Sequence, residues 1–71
     1  MRMKIVAPMG GTVWKVIAEE GSQVVVEDVI VILESMKMEI PVVAGEKGTL
    51  ASILVNEGDF VQENDVIAEL T

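Results

Sequence analysis

Hydrophobic residues along this chain fall into short runs, each cut by a turn signal. Met3 to Val6 is a first apolar stretch that stops at Pro8. Gly11 to Ala18 carries Val13, Val16 and Ile17 and closes on Glu19-Glu20-Gly21. Gln23 to Val26 is brief and runs into the acidic Glu27-Asp28. Val29 to Glu34 opens with an unbroken apolar run through Leu33, the pattern of a central buried strand. The same rhythm then returns: Met38 to Val43, Gly48 to Val55, a turn at Asn56-Glu57-Gly58, a short piece at Phe60-Val61, and Val66 to Leu70. No window sustains a helical period free of glycine. Short strands at this spacing predict an all-β sandwich or barrel.

The returning rhythm is an internal repeat. At an offset of 37 residues, Gly11-Thr12 falls on Gly48-Thr49, Glu20-Gly21 on Glu57-Gly58, Val24 on Val61, Asp28-Val29-Ile30 on Asp65-Val66-Ile67, and Leu33 on Leu70. Two copies are too few for a solenoid or propeller. They predict two similar halves related by a pseudo-two-fold axis. Lys37, moved by the same offset, lands just beyond either end of the chain. The segment around Lys37 is therefore expected at one end of the molecule, with the paired termini at the other.

Composition narrows the chemistry. The 71 residues are read as a single domain, 1–71. A chain of this size buries only about 60% of its unfolded surface. With no Cys there is no disulfide and no thiol catalysis, and with no His either, a transition-metal site is not expected. Apolar residues make up 51% of the chain and aromatics only 3%, so Val, Ile and Leu must build the core. A net charge of -7 disfavours nucleic acid and anionic membrane surfaces as partners. The basic start, Met1-Arg2-Met3-Lys4, meets Pro8 too soon for a signal peptide, and no apolar run could span a membrane. A cytoplasmic protein is the expectation.

The candidate chemistry lies between the halves, in Glu34-Ser35-Met36-Lys37-Met38-Glu39. Apolar runs flank it, so a tight hairpin is expected. Such hairpins favour Asn-Gly or Gly pairs, because their central residues need positive φ. Met36-Lys37 serves neither the turn nor solubility. A solvated lysine on an ordinary hairpin is the bland reading; two methionines framing one lysine argue instead for an attachment site.

These residues resemble the biotin-accepting Glu-Ala-Met-Lys-Met segment of the biotinyl/lipoyl domain family. Ala7-Pro8-Met9-Gly10-Gly11 is similar to the Ala-Pro-Met-x-Gly segment near the start of many such domains, and Gly21 and Gly58 match their turn glycines. The resemblance covers the whole chain and is strongest to the small stand-alone attachment proteins of bacilli. It implies a flattened barrel-sandwich of two four-stranded sheets, with Lys37 on the hairpin tip as the site of covalent biotin. It also implies a non-catalytic carrier, moving carboxybiotin between a biotin carboxylase and a carboxyltransferase. Glu34, Ser35, Met36, Met38 and Glu39 would be the surface read by a biotin protein ligase. Ser35 departs from the biotinyl pattern and looks like lipoate acceptors, so a lipoyl carrier served by a lipoate ligase, or a dual acceptor, stands as an alternative. An unmodified adaptor of the same fold is another.

Other motifs have plainer readings. A Ser35-Lys37 nucleophile would need a buried lysine and an oxyanion hole. Glu27-Asp28 and Asp65 recur at matching places, which suits turn roles better than a catalytic pair. Gly10-Gly11 precedes no helix and is not a phosphate loop. Trp14 is expected on the barrel surface or at an edge.

Overall fold

The computed structural model describes residues 3–71; the Met1-Arg2 start lies outside them. Eight strands follow one another: β1 (Met3–Val6), β2 (Gly11–Val16), β3 (Gln23–Val24), β4 (Val29–Ser35), β5 (Met38–Val43), β6 (Gly48–Ile53), β7 (Phe60–Val61) and β8 (Val66–Leu70). No helix occurs among the described residues. The strands form two antiparallel four-stranded sheets, ordered β1-β8-β6-β3 and β5-β4-β2-β7. Strand spacing predicts a sandwich or barrel, and the two four-stranded sheets are the form that the family resemblance implies.

The repeat is structural. An offset of 37 carries β2 onto β6, β3 onto β7 and β4 onto β8, and it carries the residues of β1 onto β5. The order of one sheet thereby becomes the order of the other. Backbone detail follows suit. Gly21 (φ 89) matches Gly58 (φ 95), and Glu27 (φ 75) matches Asn64 (φ 71). Neither turn glycine has anything near a would-be Cβ, so their requirement is positive φ rather than space. Met3 pairs with Leu70, so the two chain ends meet where the two-fold would place the partner of the Lys37 hairpin.

Side chains alternate because the sheets pack face to face. Val13, Leu33 and Ile30 from one half and Leu50, Leu70 and Ile67 from the other are fully buried, and each pair is related by the offset. β4 is an inner strand between β5 and β2; within its apolar run Ile30, Val31 and Leu33 are fully buried and Val29 and Ile32 partly so. β5 is an edge strand and so tolerates Pro41. Trp14 sits on β2, an inner strand rather than an edge, and is exposed at a bulge between Val13 and Lys15.

Three strands are shorter than their apolar runs. β2 stops at Val16 because the amides of Ile17 and Ala18 both bond the carbonyl of Ile30 (2.9 and 3.1 Å), which ends the regular ladder. β6 stops at Ile53 at the equivalent place, where Leu54 N–H bonds Ile67 O. β3 is cut to two residues because the Val25 amide donates to the Asp28 carboxylate (2.9 Å). Asp65 receives the Gln62 amide in the same way (2.8 Å), so these aspartates do hold turns.

Two contacts that sequence reasoning missed clip the halves together. The Val16 amide donates to Glu57 Oε2 (3.0 Å), and the Ile53 amide donates to Glu20 Oε2 (2.7 Å). Each glutamate precedes a turn glycine, so the repeated Glu-Gly pairs were the available signal.

Candidate functional site

β4 and β5 form a hairpin whose last registered pairs are Glu34 with Glu39 and Ser35 with Met38. Met36 and Lys37 are left as a two-residue loop. Their φ angles are 52° and 65°. Positive φ at both positions is the type I′ pattern, which matches the twist of the flanking strands. Neither residue is Gly or Asn, so each holds a conformation that costs about 1 kcal/mol or more. The long β4–β5 ladder fixes the register and so imposes this turn.

The tip is displayed rather than packed. Met36 is 89% exposed and Met38 62%, and Lys37, Glu34 and Glu39 are exposed beside them. Glu34 and Glu39 face each other across the strands, and like charges so placed disfavour the pairing. Strained bulky residues at the turn, exposed methionines and an acidic cross-strand pair all run against what folding would select. Ser35 differs from its neighbours: it is half-buried and lies beside Gly11, where a built Cβ would come 3.4 Å from the Ser35 Cβ.

Gly11 is a site-supporting residue that sequence reasoning missed. A Cβ there would lie 2.7 Å from the Glu34 carbonyl oxygen, closer than any real contact. β2 thus presses directly on the base of the hairpin and holds it in place. The signal lay in the repeat, since Gly48 stands in the same relation to Thr71 O at 2.8 Å.

The exposed primary amine of Lys37 is accessible at the hairpin tip. It can be acylated by an enzyme that brings both an activated acyl group and a base. Lys37 is too exposed to pair with Ser35 as a buried nucleophile would.

The comparisons agree with this geometry. A family model described as "Biotin-requiring enzyme" matches residues 3–70. The biotin/lipoyl attachment protein of Bacillus subtilis is 45% identical over 69 residues, covering 97% of this chain and 94% of that protein. A homologue of the biotinylated protein TB7.3 from Mycobacterium leprae is 45% identical over 71 residues, covering all of this chain and 94% of its own. Among solved structures, the Kluyveromyces lactis urea carboxylase overlays with a TM-score of 0.95 at 31% identity; it matches 100% of this chain, which spans 6% of the carboxylase. The chain belongs to the biotin/lipoyl family.

Proposed function

We propose that this protein is a biotin carrier, modified on Lys37, that shuttles a carboxyl group between a biotin carboxylase site and a carboxyltransferase site. The observation that carries the reading is the strained, exposed Met36-Lys37 turn framed by Met38. Family membership supplies the cofactor, and the lysine amine suits it, because biotin ends in a carboxylate that forms an amide.

Attachment is an acyl transfer. The ligase removes a proton from the Lys37 ammonium, and Nζ attacks the acyl carbon of a biotinyl-adenylate. A C–N bond forms, the acyl–phosphate C–O bond breaks, and AMP leaves. The ligase reads Met36 and Met38 as apolar contacts and Glu34 and Glu39 as charges. Ser35 is half-buried and lies against Gly11 at the foot of the hairpin; biotin rather than lipoate is favoured by the biotin-requiring family model. Once attached, biotin supplies a ureido nitrogen that accepts and releases the carboxyl group. The protein's own part is to hold the lysine on a rigid end and leave the arm free. Tethering then makes each encounter with an active site intramolecular, at an effective concentration in the mM range. Bond-making groups belong to the partner enzymes.

The test is Lys37→Arg, which keeps the charge and cannot form the stable amide. Co-expressed with a biotin ligase, the wild type should bind streptavidin and the variant should not. Labelling of the variant would move the site to Lys4, Lys15 or Lys47. An unlabelled wild type would favour an unmodified adaptor.

A further inference from the structure

The pseudo-two-fold gives this molecule an internal control. Residues 37 apart occupy equivalent places in equivalent sheets, so packing asks similar things of both. Where such twins differ in chemistry, the strand framework that the two halves share does not itself require the difference.

The outer face of the β5-β4-β2-β7 sheet carries such a difference. Glu39 stands opposite Glu34, Glu34 opposite Thr12, and Thr12 opposite Phe60. Directly opposed residues share a face, and all four are exposed, while the neighbours Leu33, Val13 and Val61 are buried. The row therefore crosses the full sheet just below the Lys37 loop, a span of about 14 Å at the usual strand spacing. It ends at Phe60, the only phenylalanine of the chain, which is 69% exposed on the edge strand β7. A Cβ built on Gly10 would come 4.0 Å from the tip of the Phe60 ring, and the exposed Met9 is the chain neighbour of Gly10.

The twin positions read otherwise. Thr71, Thr49 and Gln23 replace Glu34, Thr12 and Phe60, and Glu46 replaces Met9. Gln23 pairs with Thr49 as Phe60 pairs with Thr12. Among the described residues the same framework thus closes without an exposed aromatic and without acidic side chains in that row; Arg2, the twin of Glu39, lies outside them. Phe60, Met9 and the acidic pair are specific to the end that bears Lys37.

We propose that this row is a docking face for the enzyme that acylates Lys37, with Phe60 as its apolar anchor and Glu34 and Glu39 as its charged guide. The inference rests on the biotin-carrier reading and adds a contact on the same sheet face, across the strands from the foot of the acceptor loop. Its occupant presents an apolar pocket for one aromatic ring, rimmed on one side by Lys or Arg. Exposed aromatics seated in such pockets are the usual anchors of an interface. The acylating enzyme is favoured over a carboxylase because it must bring an activated acyl carbon to Nζ itself. It therefore has to cover the surface closest to the loop. A carboxylase meets the ring of biotin, held farther out on its arm.

The experiment replaces Phe60 by its own twin residue. Phe60→Gln, Phe60→Leu and the control Gln23→Ala are assayed as intact unmodified protein with purified biotin ligase, ATP and biotin. Phe60→Gln should raise KM about tenfold with little change in kcat, the signature of lost uniform binding. Phe60→Leu should recover part of the loss, and Gln23→Ala should match the wild type. Urea melts establish that each variant is folded. A folded Phe60→Gln with wild-type KM overturns the docking face, even while Lys37 is biotinylated normally. The same holds if that variant loses only carboxylation, which would assign the face to the carboxylase. If the wild type is never biotinylated, the carrier reading falls and the docking face with it.

Discussion

Replacing Gly11 by Ala puts a methyl group where the structure has no room. The new carbon would sit 2.7 Å from Glu34 O and 3.4 Å from Ser35 Cβ. The first contact is backbone of an inner strand and cannot swing aside, so β4 must shift at the foot of the Lys37 hairpin. Overpacking of this kind costs about 1–3 kcal/mol, and the stiffer unfolded chain offsets about 0.4–1 of it. A net loss near 1–2 kcal/mol lowers the melting temperature of a domain this small by about 10 °C. Gly48→Ala is the matched control, because its carbon would lie 2.8 Å from Thr71 O at the symmetry-related place. Thermal melts followed by circular dichroism should show similar losses for both. Initial biotinylation rates, taken well below both melting points, should differ. Gly11→Ala displaces the acceptor and should slow the reaction about tenfold, whereas Gly48→Ala should not slow it. Unchanged stability in Gly11→Ala would refute the close-packing claim. Equal slowing by both variants would show that the rate follows global stability rather than hairpin position.

Leu33→Ala empties the core beneath the hairpin and should cost about 2–5 kcal/mol in urea denaturation, and its twin Leu70→Ala a similar amount. Glu20→Ala and Glu57→Ala each remove the acceptor for a backbone amide that joins the halves. Each should cost about 1 kcal/mol, read from the urea midpoint, with the second change costing less once the first clip is gone. A free peptide of residues 30–43 should be a much poorer ligase substrate than the folded chain, since it must first adopt the positive-φ turn; comparison of kcat/KM decides this. Raising the salt concentration should slow association of ligase and carrier through screening of Glu34 and Glu39, measured as the salt dependence of kcat/KM.

Much of this architecture was legible because the repeat made it so. An offset that aligned Asp28-Val29-Ile30 with Asp65-Val66-Ile67 foretold two like halves, and the two sheets have the corresponding strand orders. Lys37 was legible for a different reason: its turn lacks the residues a hairpin wants, and that mismatch survives in the backbone as two positive φ angles. Strand ends were less legible. Ile17, Ala18 and Val25 are apolar and look like strand, yet bifurcated bonding to Ile30 and the Asp28 carboxylate take their amides out of the ladder. Long-range backbone contacts were the least legible. Nothing local marks Gly11 as the residue against Glu34 O, or Glu57 as the acceptor for Val16, because these depend on how two strands distant in sequence approach. Phe60 was likewise a short strand residue until register put it in line with Glu34.

The central claim is that one lysine, and only the one on the β4–β5 tip, carries biotin. Intact-mass spectrometry of the protein co-expressed with a biotin ligase, followed by fragmentation of the modified peptide, tests it directly. A mass increase of one biotinyl group is expected, located on Lys37 and absent from Lys37→Arg. Biotin on Lys4, Lys15 or Lys47, or no added mass with active ligase and abundant biotin, would contradict it.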